Sequence, residues 1–290
     1  MRALSAAVTL AVTCAGACAS APTPKSGWGF CAPPEALSVP WREDPLPPGA
    51  SRGQQAAALL GVSDELREAA APTNEGRAAR VVVLERLALT RTVLEATVAE
   101  LDCERERSLQ LAALLHARKE RSTTRFTIAS IVVGAGTAIA GGFLASADTN
   151  PTSQGLVAIA GGAVTAGLAL VPLFDHPQVE LEHERNVLAD VWLGPRESSL
   201  FPAVVWAYLT RPEFSNGQAT SIRANVVARW KEHDLQRRDV DLAALFGARG
   251  LYDAQALDLR AGMLGQVKAE VRLMNQALAP LFVGQGEDAR

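Results

Sequence analysis

Residues 126–147, FTIASIVVGAGTAIAGGFLASA, and 155–174, GLVAIAGGAVTAGLALVPLF, carry no charged residue and decide how the rest of the chain is read. Each is roughly 20 residues long, the length at which an apolar helix matches the ~30 Å hydrocarbon layer of a bilayer. In the first run Ser130, Gly134, Ala138, Gly142 and Ser146 recur at every fourth position, and in the second Ala158, Gly162 and Ala166 do the same. On an α-helix that spacing draws a stripe of small side chains along one face. Two such stripes let two backbones approach closely, so that dispersion and Cα–H contacts hold the pair where lipid removes the hydrophobic drive. Bulky residues such as Phe126, Ile131, Ile139, Phe143, Leu156, Leu168 and Leu170 fall on the remaining faces. The polar stretch 148–154, DTNPTSQ, is the turn between the runs. The expectation is a hydrophobic helical hairpin over 126–175, made of two candidate transmembrane helices.

This pattern resembles the glycine-zipper hairpins of several bacterial envelope lipoproteins, over about fifty residues and with no single family singled out. The resemblance implies self-association and membrane contact. A second arrangement stays open: glycine and alanine contribute little to insertion, so the same pair also suits the dry centre of a soluble bundle. Arg118, Lys119, Arg121 and Arg125 flank one end of the hairpin, and Asp175, His176 and Glu180 the other. With an exported anchor both ends lie outside the cytoplasm, against the positive-inside rule. Either the hairpin enters a membrane after export or it stays within the protein.

Outward from the hairpin, the chain reads as helices. Thr73 or Asn74 caps a long helix expected to run to about Arg121. Leu87, Leu94, Leu101 and Leu115 form one heptad line on it and Leu84, Val98 and Ala112 the other, interrupted by Arg91, Arg105 and Ser108. From Tyr252 onward Leu257, Leu264, Val271 and Leu278 repeat every seven residues, accompanied by Val267, Met274 and Leu281, and Pro280 ends or kinks the helix. Two apolar seams are satisfied most economically by packing on each other. Shorter helices are expected over 54–70, 179–193 (stopped by Gly194-Pro195), 202–209, 220–233 and 239–246. Period-2 alternation is nowhere sustained, so essentially no sheet is expected. The predicted fold is all-α, a helical bundle with long heptad-patterned helices and a central hydrophobic hairpin. Composition agrees, with 48% hydrophobic residues but only 5% aromatic, because Ala and Leu favour helices.

The N-terminus speaks about address. Arg2 precedes an apolar run, Ala3 to Val12, too short to span a bilayer, and Ala15-Gly16-Ala17-Cys18 follows. That reads as a signal peptide, 1–17, and Cys18 resembles the lipidated cysteine of a bacterial lipobox, with Ala15 where the pattern usually has Leu. Cleavage after Ala17 or Ala19 by an ordinary signal peptidase is the alternative. Ala19 after Cys18 implies the outer membrane, facing the periplasm, for a lipoprotein of this kind. Residues 18–50 form a proline-rich tether, holding eight of the sixteen prolines between positions 21 and 50. Trp28, Phe30 and Trp41 interrupt it and are expected to dock on the folded body. Cys31 and Cys103 either form one disulfide in an oxidising compartment or remain two free thiols. Residues 51–125 then hold the N-terminal helices and 176–290 a C-terminal helical region.

Catalytic signals are missing. Gly134-Ala135-Gly136 lacks the third glycine, strand and acidic residue of a dinucleotide site. His183-Glu184 has Val187 where a zinc-protease helix needs its second histidine. His176 and His183 fit a solvated helix face, His116 and His233 stand alone, and Trp192, Trp206 and Trp230 fit the core. Trp192 also suits a membrane interface. The region 196–250 holds no recognisable enzyme motif. A net charge of −3 with interleaved signs gives no basic face for nucleic acid. No metal or cofactor is expected. The expected function is that of a non-enzymatic, membrane-anchored envelope lipoprotein, with membrane lipid and either its own copies or other envelope proteins as partners. The alternative is a membrane-perforating protein resembling the α-helical pore-forming toxins, from which Gly194-Pro195 departs by breaking the returning arm early.

Overall fold

The computed structural model describes residue 31 and residues 41–146, 176–183, 185–236 and 241–283. The fold is all-α, organised on two long helices. Helix α1, Arg52–Leu60, opens with a reciprocal capping box between Ser51 and Gln54. The expected helix over 54–70 is in fact two, because Gly61 takes the left-handed conformation (φ 66°) and ends α1 before α2, Ser63–Glu68. Helix α3, Asn74–Ser146, follows, with the Thr73 hydroxyl accepting from the Gly76 amide at 3.0 Å.

Helix α3 is 73 residues long, about 110 Å at the usual rise. Its expected end near Arg121 is overrun, and it passes without a break into the first apolar run. Ser122-Thr123-Thr124 does not stop it, and the Thr123 hydroxyl, like that of Thr127 one turn on, bonds back to a carbonyl inside the helix instead of competing with it. Thr123 reaches Lys119 O and Thr127 reaches Thr123 O, both at 2.9 Å.

Strand β1, Val179–Glu182, pairs antiparallel with β2, Arg249–Tyr252, in the register Val179↔Tyr252 and Glu182↔Arg249. Both the expectation of essentially no sheet and that of a helix over 179–193 are corrected here. Val-Glu-Leu-Glu alternates, burying Val179 and Leu181 and exposing Glu180 and Glu182, which a strand does and a helix does not. Helix α4 is only Val187–Leu193, ended by Gly194 in the left-handed region. Beyond it come α5, Ala203–Thr210, and α6, Ile222–Arg229, which widens into a single π-type turn, Trp230–Asp234. Helix α7, Leu242–Phe246, leads into β2, and α8, Ala254–Leu278, is followed by the short α9, Pro280–Val283.

Helix α8 lies antiparallel on α3: Asp258 bonds His116 at 3.1 Å, and ten residues later Lys268 bonds Asp102 at 2.5 Å. The buried line along α8, continued by Leu281 of α9, is 257, 260, 264, 267, 271, 274, 278 and 281, an unbroken 3–4 spacing that includes every apolar seam residue expected from the sequence. The facing line on α3 is Val83, Leu87, Thr90, Leu94, Thr97, Leu101, Glu104, Ser108, Ala112 and Leu115. Leu84, expected in that seam, is 44% exposed. Ser108, expected to break it, is buried within it and donates to Glu104 O at 2.9 Å. Small hydroxyls that satisfy themselves in this way fit an apolar seam. The short helices bring Trp206, Trp230, Phe214 and Leu245 onto the same core.

Candidate functional site

The seam contains one ionic layer. Arg260 of α8 is fully buried, with its Nη2 3.7 Å from Oε2 of Glu104 on α3, which also faces Arg107 Nη1 at 3.5 Å. Arg260 Nη1 donates to Asn186 Oδ1 at 3.1 Å and to Leu245 O at 3.3 Å. Asn186 in turn donates to Leu245 O (2.9 Å) and Gly247 O (2.7 Å). Arg185 joins Glu100 of α3 at 2.9 Å and Leu200 O at 2.6 Å, and burial pushes the Glu100 carboxyl above its usual range against that partner. Segment 185–186 is thereby tied to α3, to α8 and to the α7–β2 turn.

His183 is buried beside this layer, correcting the expectation of a solvated helix face. Its Nε2 lies 2.9 Å from the Tyr252 hydroxyl, which donates to Ala244 O. The single hydroxyl proton is thus committed to Ala244, so Nε2 is the protonated nitrogen of His183 and Nδ1 has no hydrogen-bond partner among the described residues. Burial, reinforced by the Arg260 and Arg107 charges, lowers the His183 pKa to about 2. A histidine and tyrosine in contact invite a proton-transfer reading, but both are buried among the described residues.

A pH dependence follows. The folded state refuses a proton that the unfolded chain accepts near pH 6.5, so stability is full above that pH and falls as the pH drops toward 2. Between pH 6.5 and 4.5 the loss is on the order of 2–3 kcal/mol. Thermal unfolding of wild type and His183→Gln across that window measures it. The variant's curve should be flatter, and Glu100, which acts in the opposite sense, is common to both proteins.

A cleft of about 530 Å³ lies where the docked end of the tether meets α5, lined by Trp41, Glu43, Arg196, Ser198, Trp206 and Arg211. Its polar groups are largely taken. Trp41 Nε1 donates to Leu59 O at 2.8 Å, Trp206 Nε1 to Pro195 O at 3.2 Å, Arg211 pairs with Glu43, and Ser198 bonds Asp190. Trp41 docks as expected from the sequence; Trp28 and Phe30 lie outside the described residues. Trp192, an alternative membrane-interface residue, stacks on Phe246 at 4.5 Å under Lys231. His116 does not stand alone but pairs with Asp258. Among the described residues, no three metal-ligating side chains converge.

The residues singled out by sequence fare as follows. Cys18 lies outside the described residues. Cys31 and Cys103 are joined in a disulfide with their Cα atoms 5.5 Å apart, which fastens the tether to the middle of α3. Of the small-residue stripe, Ser130, Gly134, Ala138, Gly142 and Ser146 are on α3, while Ala158, Gly162 and Ala166 and the second run, 155–174, lie outside the described residues. Ser130 and Gly134 are half-buried, together with Phe126, Ala129 and Val133, and Ala138 is exposed.

On the opposite side of the same helix Ile128, Ile131, Val132 and Ile139 are 56%, 64%, 64% and 65% exposed. Among the described side chains of α3 none beyond Leu115 is buried. From there to Ser146 the helix extends roughly 45 Å. Among the described residues no helix is long and apolar enough to cross a membrane, which corrects the expectation of a transmembrane helix over 126–147 as far as it is described; the second candidate lies outside the described residues. Isolated exposed apolar residues are ordinary, but a contiguous apolar face marks an interaction surface. Among the described residues this face is apolar and exposed and carries no titratable group. Comparison with protein-family models, curated proteins and solved structures finds no match for the chain.

Proposed function

We propose that the protein is a non-enzymatic envelope lipoprotein that uses the apolar arm of α3 as a contact surface for membrane lipid and for further copies of itself. Export by the 1–17 segment, lipidation at Cys18 and placement at the outer membrane belong to this reading, as does a second apolar helix over 155–174 that packs on the first through the small-residue stripes. The observation that carries it is the exposed line of Ile128, Ile131, Val132 and Ile139 on a helix that continues well past Leu115, the last buried residue among its described side chains. Leaving four β-branched aliphatics in water forfeits on the order of 1.5 kcal/mol each relative to burial, which gives the arm a reason to find lipid or protein.

Flotation with phospholipid vesicles of the chain left unacylated by Cys18→Ser tests this. That chain is expected in the vesicle fraction, and its variant with Ser at 128, 131, 132 and 139 in the aqueous fraction. Co-flotation of both, or of neither, contradicts the proposal. The unbroken run from bundle to apolar arm favours one further reading, a membrane-perforating protein. Release of dye from the same vesicles on addition of wild type would select it over a passive contact surface.

A further inference from the structure

Three arginines lead into the apolar line. Arg118, Arg121, Arg125, Ile128, Val132, Ala135 and Ile139 follow one another at spacings of three, four, three, four, three and four, so they share one face of α3. Arg118 is half-buried and every other member is exposed. Lys119 adds a fourth cation, itself exposed, and Glu120 is the sole acidic residue between positions 118 and 139. From Arg118 to Arg125 is about 10 Å along the axis, comparable to the depth of a bilayer's headgroup layer, and the apolar residues begin within one turn of it.

Building on the proposed lipid contact, we infer that the arm selects anionic phospholipid, with Arg118, Arg121 and Arg125 as the headgroup-binding collar and the aliphatic line below them among the acyl chains. Two features point to lipid over a second copy of the chain. A self-contact along this line would bring like charges together wherever the two collars met. An anionic headgroup layer complements all three guanidiniums at once, and their long apolar stems allow the charges to stay at the interface while the aliphatic residues go deeper. Guanidinium also suits phosphate better than ammonium does, since its planar fork donates to two oxygens together.

The test compares binding of the full chain to vesicles of pure phosphatidylcholine and to vesicles that also contain phosphatidylglycerol, at low and high salt. Wild type should bind the anionic vesicles on the order of 100-fold more tightly at low salt, with the difference shrinking as salt screens the surface. The combined variant Arg118→Gln, Arg121→Gln and Arg125→Gln should lose that preference while retaining its binding to neutral vesicles. The corresponding triple Lys variant keeps the charge and should keep most of the preference, which separates charge from folding damage. Equal binding of wild type to both vesicle types overturns the collar and leaves the lipid contact standing. Binding to neither overturns both.

Discussion

Replacing Arg260 with Ala is expected to destabilise the fold by about 3–5 kcal/mol, since truncating one member of a buried ion pair leaves the other charge desolvated and uncompensated. Glu104 is nearly buried, Asn186 loses the donor to its Oδ1, and Leu245 O loses one of its two donors. Arg107, 3.5 Å from Glu104, offsets part of the loss and places the effect toward the lower end. Chemical denaturation of the single variant measures it. The double variant Glu104→Leu with Arg260→Met removes both charges from the seam and should be more stable than Arg260→Ala alone, because an apolar pair of similar volume replaces an ion pair at little or no cost. The layer's use is then specificity. Glu104 on one seam meets Arg260 on the other in one antiparallel register, and a shift by one heptad would leave both charges buried apart from each other.

The second large effect is expected at Gly61. Its φ of 66° is costly for any residue with a Cβ, by about 1–2 kcal/mol. An added Cβ would also sit 2.1 Å from the Arg42 carbonyl oxygen, far inside contact distance, and that oxygen belongs to backbone with little room to yield. The Arg42 segment is held on both sides, by Trp41 Nε1 on Leu59 O and by the Asp44 amide on Ala58 O at 3.1 Å, with Asp44 Oδ2 accepting from Ser63 N at 2.9 Å. Gly61→Ala should therefore cost about 3 kcal/mol and loosen the docked end of the tether. Gly49 has nearly the same φ, 71°, but open space around its Cβ position, so Gly49→Ala should cost only about 1 kcal/mol. Thermal unfolding of the two variants side by side separates backbone conformation from collision. Equal losses would mean that the close approach of Arg42 contributes nothing.

The C-terminal seam was legible because it is written in large aliphatics. Leu257, Leu264, Val271 and Leu278 are all fully buried. The facing seam on α3 was half legible, because Thr90, Thr97, Glu104 and Ser108 occupy buried positions that hydropathy alone assigns to the surface, and so the exposed Leu84 looked the better candidate. Strand β1 was missed for want of length. Four alternating residues next to Val187-Leu188-Ala189-Asp190 look like the start of a helix until β2, some seventy residues on, supplies the partner. The ionic layer was hidden for a similar reason, since Glu104, Asn186 and Arg260 are far apart in sequence. A faint signal existed: Arg260 falls three residues after Leu257 and four before Leu264, a seam position. The continuity of α3 through its Ser-Thr-Thr stretch goes with back-bonded threonine hydroxyls at 123 and 127, which composition does not report. The apolar arm was visible as a run, but which of its sides faces solvent was not.

An environment-sensitive fluorophore attached at Val132→Cys, with the Cys31–Cys103 disulfide left closed, tests most directly whether the far end of α3 meets lipid. Free in buffer the probe should report water, as the 64% exposure of Val132 requires. With vesicles present its emission should shift to the blue and become sensitive to lipid-borne quenchers, while the same probe at Leu84→Cys on the bundle surface stays unchanged. A probe at position 132 that remains in water beside excess vesicles, or that is already shielded in the lipid-free protein, would contradict a lipid-facing arm.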